Sequence, residues 1–383
     1  MEVYLDNSAT TQPCEAAVSA AIRALRERWH NPSALYRPAM EAQKEMEETR
    51  RRCLEAAGAA GHRLVFTASG TEADNLAVLG YLRTVRKPGR VLILQAEHPA
   101  IRACIPEIER LGHAVELLTT DRRGVCDLTE LEKTLGDDVR MICVMQVNNE
   151  TGAIQPLEEI CALRNRLAQE AAIHVDGVQG FLRVPMAFSR LGIQSYAFSG
   201  HKIHAPKGIG GLIVRKDHRL HPMVYGGGQE SELRSGTENT AGIAALGAAV
   251  AAFDLDSVAE MARLKMRLWT KLRDAIPKAT VNGPLPGEPE SAPHILNLSL
   301  PPVRSQTMLF ALEGEGVLVS AGSACASHKQ KISQVLLSMG VDRERADSAL
   351  RFSLSPMTTE AEIDFAAQAA VRQYELLSKY VRR

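Results

Sequence analysis

Residues 198–211 read FSGHKIHAPKGIGG: a lysine between two histidines, followed by small and turn-forming residues. A solvated surface lysine needs no such company. Ser199, His201 and His204 put polar side chains around Lys202, and Gly200, Gly208, Gly210 and Gly211 let the backbone approach something closely. An amine held in such a setting can lose its proton and act as a nucleophile, so Lys202 is a candidate for chemistry. Taken alone, the stretch fits a surface loop after a strand equally well. The sequence on either side decides between the two.

Upstream, RLVFTA (63–68), RVLILQ (90–95), AVELL (114–118), RMICVMQV (140–147), IHVD (173–176) and SYAFS (195–199) read as buried strands. Helix-length segments at 71–86, 100–111, 127–135 and 156–171 lie between most of them. Apolar runs alternating with helices predict an α/β fold whose mainly parallel or mixed sheet is covered on both faces. Ligands of such sheets bind at the C-terminal ends of the strands. After GGLIVRK (210–216) the pattern changes to an Ala-rich helix over 240–253 and a basic amphipathic helix over 257–275. NGPLPGEPESAP (282–293) reads as an exposed turn region. Short strands (ILNLSL, GVLVS, LRFSLS) then alternate with helices, the last over 359–380, as in a separate α+β module. The expected division is a large domain over 15–254 and a smaller one formed by 1–14 with 255–383.

Polar residues gather at the predicted strand ends. FTASGTEADN (66–75) places Gly70 and Thr71 at a helix start, which makes either a phosphate cradle or an ordinary N-cap. AEHPA brings His98, NNETG (148–152) brings Asn149, HVDGVQG brings Asp176 and Gln179, and SYAFSGHK brings Ser199, His201 and Lys202. One cofactor needs this set. Pyridoxal 5′-phosphate (PLP) takes a lysine for covalent attachment and an acid to keep its ring nitrogen protonated. It also takes donors for its phosphate and a flat group against its ring.

The chain resembles the cysteine desulfurases of the NifS/IscS type, within the class-V aminotransferase group of fold-type-I PLP enzymes. The motifs run from end to end: YLDNSATT (4–11), NPSA (31–34), TEADN (71–75), EHPAI, NNETG, HVDGVQ, FSGHKIHAPKG, GGGQE (226–230), RSGTEN (234–239), SAGSACAS (320–327) and LRFSLS (350–355). The resemblance implies a seven-stranded sheet sandwiched by helices, with Lys202 holding PLP and Asp176 paired with the pyridine nitrogen. It implies that His98 stacks on the ring and serves as acid or base, and that Gln179 meets the ring hydroxyl. Gly70, Thr71, Ser199 and His201 would hold the phosphate, with Thr237 reaching it from a second subunit. Asn31, Asn149 and Arg351 would position the substrate L-cysteine, Arg351 through its carboxylate. Three positions depart from the commonest pattern: Ala34 where a second serine is usual, TASGT in place of a more Gly-rich run, and Gly177 in place of alanine.

Seven cysteines lie at 14, 53, 104, 126, 143, 161 and 325, in an odd number and without a C-x-x-C, so neither a disulfide framework nor a zinc site is signalled. Six read as small apolar groups of helices or strands. Cys325 differs: SAGSACASHKQK (320–331) is a small, polar loop, where a thiol is exposed and can deprotonate. An incidental thiol or a Cys-x-x-His metal half-site are the plainer readings; family context favours the catalytic one. By the resemblance, Cys325 attacks the sulfur of L-cysteine, becomes a persulfide and leaves alanine. The sulfur would pass to an acceptor protein, an iron–sulfur scaffold or a tRNA-thiolation enzyme.

Selenocysteine lyase and a class-V aminotransferase are the neighbouring activities, and a non-catalytic scaffold is the alternative of another class. Intact Lys202, Asp176, His98 and Cys325 argue against the scaffold. With 45 basic and 45 acidic residues, the net charge of zero points to neither nucleic acid nor an anionic membrane. No leader-like or membrane-length apolar run is present, so a cytoplasmic protein is expected; the resemblance, through RSGTEN and Thr237, implies a homodimer.

Overall fold

The computed structural model describes residues 1–321 and 332–380. After β1 (Val3–Tyr4), seven five- to seven-residue runs form the main sheet: β2 (Arg63–Thr67), β3 (Arg90–Leu94), β4 (Ala114–Leu118), β5 (Val139–Met145), β6 (Ala172–Asp176), β7 (Ser195–Ser199) and β8 (Gly210–Val214). Their spatial order is β2-β8-β7-β6-β5-β3-β4. Pairing is parallel throughout except at β8, which runs antiparallel to both β2 and β7. Successive strand residues face opposite sides. Leu92, Ile142, Val144 and Phe198 enter one core, whereas Val91, Ile93, Met141 and Cys143 enter another. Apolar side chains on both faces explain why these strands read as continuous runs rather than alternating ones.

A second core is built from Val3 and Leu5 together with residues between 261 and 370, including Leu268, Leu298, Phe352 and Ala367. Its antiparallel sheet comprises β9 (Thr280–Val281), β10 (Ile295–Ser299) and β12 (Ala349–Ser353), with β10 central, and β11 (Val317–Leu318) pairs with β1 in parallel. The helix Glu360–Leu377 opens with a reciprocal capping box between Thr359 and Glu362.

Two expectations are corrected. The single helix over 100–111 is two short ones, Pro99–Arg102 and Ile105–Arg110. Pro106 has no N–H to give the preceding turn, and its ring crowds the carbonyl four residues back. Segment 282–293 is not simply exposed: Asn282, Pro284, Pro286, Ala292 and Pro293 are buried. It is fastened to the first body, because Ile154 N–H donates to the Glu290 carbonyl and Ala292 N–H to that of Gly152.

Candidate active site

The parallel strands deliver their C-terminal ends to one side of the sheet, where a cavity of about 720 Å³ opens. Gly210 explains how its anion-binding corner is assembled. It pairs with Thr67 of β2 on one side and Ser199 of β7 on the other. A Cβ there would lie 2.9 Å from the Ser69 carbonyl carbon, so only glycine lets the start of the helix Gly70–Leu82 close on Ser199. Ser69 caps this helix by accepting from Glu72 N–H at 3.1 Å. Ser199 Oγ is buried without a hydrogen-bond partner among the described residues. An unsatisfied hydroxyl beside free helix N-terminal N–H groups is a ready anion site. Thr71 and His201 also line the cavity, and His201 Nδ1 lies 3.2 Å from Thr10 Oγ1.

Lys202 ends the short helical turn Gly200–Lys202 that follows β7. Its Nζ donates to the carbonyls of Ser8 and Ala9 at 2.5 and 2.8 Å. Asp176, the last residue of β6, accepts from Val178 N–H at 2.8 Å. Burial holds its carboxyl above the usual range, opposed by the neighbouring charges of His98 and Lys202. A cation set against Asp176 would therefore be strongly favoured. His98 Nδ1 accepts from Ala100 N–H at 3.1 Å, so the neutral ring carries its proton on Nε2. Burial lowers its pKa and keeps it neutral, although Asp176 pulls the other way. Gln179 is held at both ends of its amide: it donates to the Ser8 carbonyl at 2.9 Å and accepts from His294 Nε2 at 3.4 Å.

The far wall comes from the second core. Arg351, in β12, is almost fully buried and donates to the Asn149 carbonyl and to Asp6 Oδ1, both at 2.7 Å. Its Nε is buried without a partner among the described residues, which leaves a donor for a substrate carboxylate. Asn149 lines the same cavity. Asn31 and Thr237 do not; both are exposed, and Asn31 Oδ1 accepts from Ser33 N–H. Cys325 lies outside the described residues. Its flanks are anchored at the cavity, Ser320 by paired backbone bonds to Arg351 and Ser333 by its hydroxyl on Glu150.

Other groups escaped sequence reasoning. His174, two residues before Asp176 on β6, sits 3.1 Å from Asp74 Oδ1 and 2.9 Å from Ser195 Oγ. Burial lowers the His174 pKa to about 3 and raises that of Asp74, so the contact is a hydrogen bond between neutral groups rather than an ion pair. Glu97 is likewise buried, its carboxyl raised by burial and by the charge of Asp176. The signal available was the i, i+2 spacing of His174 and Asp176 on one strand face. Gly177 also finds its reason: a Cβ there would fall 1.9 Å from Cζ of the buried Tyr196, whose hydroxyl donates to Gln146 at 2.7 Å. A tyrosine fills the space that an alanine methyl would need.

The family model of the class-V aminotransferases matches residues 3–365. "Cysteine desulfurase IscS" from Dictyoglomus turgidum is 34% identical over 387 residues, covering 98% of this chain and 95% of that one. Among solved structures, a "NifS-like protein" superposes with a TM-score of 0.89 at 32% identity, over 99% of this chain and 100% of that one. "SspA in complex with cysteine" does so at 0.81 and 26%, over 93% and 100%. The chain belongs to the class-V aminotransferases, PLP-dependent enzymes, and among them to the cysteine desulfurase group. The residues present fit the cofactor: an orphaned hydroxyl and a helix N-terminus suit its phosphate, a buried carboxyl its ring nitrogen, and a lysine its aldehyde.

Proposed function

We propose that this chain releases L-alanine from L-cysteine and takes the sulfur onto Cys325 as a persulfide. One observation carries the reading: a single cavity gathers Lys202, Asp176 and His98 from one sheet and Arg351 from another. Bound there, PLP supplies an electron sink for the α-carbon of the amino acid. Lys202 Nζ attaches the cofactor, Asp176 holds its ring nitrogen, and Gly70, Thr71, Ser199 and His201 hold its phosphate. Gln179 meets the ring hydroxyl. Arg351 orients the substrate carboxylate beside Asn149, and His98 presents Nε2–H as a proton donor. The Cys325 thiolate then attacks the substrate sulfur. An S–S bond forms, the Cβ–S bond breaks, and Cβ keeps the electron pair and takes a proton, giving alanine.

Several features support the finer points. Among the described cysteines, Cys53 and Cys126 are pushed up to about 12 by burial, Cys104 and Cys161 to about 11, and Cys143 is raised as well, so these are poor nucleophiles. A homodimer is favoured by the exposed apolar residues Leu25, Trp29, Leu35, Tyr36 and Met40. It is also favoured by Thr237, which does not line the cavity of its own chain and would reach the phosphate of the other subunit. The core that joins Val3 and Leu5 to residues between 261 and 370 favours the division into 15–254 and 1–14 with 255–383, although residues between 335 and 349 pack on the main-sheet core. The persulfide would serve iron–sulfur assembly or tRNA thiolation in the cytoplasm. The test is to incubate the holoenzyme with L-cysteine and a reductant and measure alanine and sulfide. 3-Mercaptopyruvate formed only with an added keto acid, without release of alanine, would instead identify an aminotransferase.

A further inference from the structure

Arg183 is a buried cation with no counter-ion. It lies in the turn after β6 with 1% of its surface exposed, and among the described residues no carboxylate pairs with it. Its Nη2 donates to the carbonyl oxygen of Lys202, while Nε and Nη1 have no hydrogen-bond partner among the described residues. An arginine in this state is costly relative to a paired or solvated one. The preceding residue adds a further cost. Leu182 has φ 65°, a left-handed conformation that is unfavourable for a residue with a branched side chain. Both costs serve to put a guanidinium against the main chain of the cofactor lysine.

The surroundings show what the charge does there. From the turn after β7, His201 and His204 face it, and from the strand entering the second core, His294 does. Burial lowers all three imidazoles, and the Arg183 charge lowers each of them further. Lys202 belongs to the same cluster. At Lys202 the negative charge of Asp176 opposes Arg183 by favouring an ammonium, while His98, which burial keeps neutral, adds no charge there.

We propose that Arg183 is a positioning residue for Lys202: its hydrogen bond fixes the turn that carries Nζ, and its uncompensated cation disfavours the ammonium form, keeping the amine available at neutral pH. The inference rests on Lys202 being the attachment point, which borohydride reduction of the holoenzyme followed by peptide mass spectrometry tests separately. If the reduced cofactor is found on another residue, the attachment reading fails, and this inference with it.

The experiment compares wild type, Arg183→Gln and Arg183→Lys by pH titration of the visible absorption of the holoenzyme. In parallel, the pH dependence of reductive methylation at Lys202 is followed in the apoprotein by peptide mass spectrometry, a readout that needs no cofactor. Glutamine keeps a donor for the Lys202 carbonyl but removes the charge; lysine keeps the charge. Both midpoints should rise by roughly one pH unit in Arg183→Gln, as expected for removing a like charge at short range in a partly shielded site. In Arg183→Lys they should stay within a few tenths of a unit. Equal midpoints in Arg183→Gln and wild type, or equal shifts in both variants, would overturn the proposal. Where Arg183→Gln fails to retain the cofactor, the methylation midpoint decides, and an unchanged value overturns it.

Discussion

Replacing Gly177 with alanine should destabilise the protein by about 2–6 kcal/mol, although alanine is the smallest change available. The added Cβ would sit 1.9 Å from Tyr196 Cζ, 2.2 Å from Cε2 and 2.3 Å from Oη. Carbon atoms in contact rest at about 3.5–4 Å, so the ring must move by about 1.5 Å or more. It has nowhere to go, because Tyr196 is fully buried and Phe181 and Phe198 lie on the same side. Overpacking of this kind costs about 1–3 kcal/mol. Displacing the hydroxyl also breaks its bond to Gln146 and leaves a buried amide oxygen unsatisfied, worth about 1–3 kcal/mol more. Gly177 is not among the residues with positive φ, so backbone strain does not enter. The origin of the loss can be separated by a second substitution. Tyr196→Phe removes Oη and its bond to Gln146 but leaves Cζ in place, so in that background Gly177→Ala should still cost the overpacking part, about 1–3 kcal/mol. Tyr196→Val clears the ring, and there Gly177→Ala should be neutral or stabilising by up to about 1 kcal/mol through the less flexible unfolded chain. Equilibrium urea unfolding at constant m of the six proteins, Gly177 and Gly177→Ala in each of the three backgrounds, would report these costs. A Gly177→Ala protein within about 0.5 kcal/mol of wild type, or full rescue by Tyr196→Phe, would refute the reasoning.

The remaining predictions concern the chemistry and one buried charge. The purified protein should be yellow, and Lys202→Ala should lose that absorbance. Cys325→Ala should keep the absorbance and its response to L-cysteine, yet lose alanine formation by several orders of magnitude in a product assay, since a positioned nucleophile is not replaced by water. Arg351→Lys should raise KM for L-cysteine by roughly 10- to 100-fold, because a single ammonium cannot both hold Asp6 and grip a carboxylate; steady-state kinetics would show an unchanged KM if the carboxylate binds elsewhere. Burial lowers the Lys265 pKa to about 7, below that of an unfolded lysine. The unfolded chain therefore binds the extra proton between pH 7 and about 10, and stability should rise with pH across that window. The two hydrogen bonds that Lys265 donates, to Ser291 and the Ala292 carbonyl, recover part of the cost. Lys265→Met should thus gain on the order of 1–2 kcal/mol at pH 6 and flatten the slope; a parallel pair of pH–stability curves would exclude this.

Legibility in the sequence followed the range of the interaction concerned. The strands of the main sheet are apolar runs bounded by polar ends, and each of the six predicted ones forms within a residue or two of its expected limits. Lys202, Asp176, His98, Gln179, Ser199 and Gly70 could be singled out because each closes a strand or opens the helix after it, and strand ends converge by topology alone. The break at Pro106 was equally local and could have been read from the proline itself. What stayed hidden depends on pairs far apart in sequence. In the sequence Gly177 shows only as a departure from the commonest pattern; its meaning lies with Tyr196, across two neighbouring strands. Asp74 and His174 are 100 residues apart and meet only in the folded core. Arg183 resembled any basic turn residue until its burial and its contact with Lys202 were visible. The proline-rich run read as exposed because its composition says turn, whereas its burial depends on the loop at 148–154 that it grips.

That grip gives the molecule a stitched seam. The turn bearing Asn149 belongs to the first body, yet segment 282–293 holds it from the second, and Arg351 reaches across to its carbonyl. The two sides of the seam have separate tasks. Strand ends of the main sheet line the cavity where Lys202 sits, whereas Arg351 enters it from the second sheet. The segment that carries Cys325 is rooted on both sides, at Ser320 by its bonds to Arg351 and at Ile332, Val335 and Leu336 by packing into the main-sheet core. On the proposed reading, the grip on the substrate carboxylate can be retuned in the second sheet while the pocket for pyridoxal phosphate stays as it is, but the sulfur-handling segment answers to both bodies. Loosening the stitches, for example at the Ser291–Ala153 bridge, should weaken the hold on substrate before it loosens the hold on cofactor.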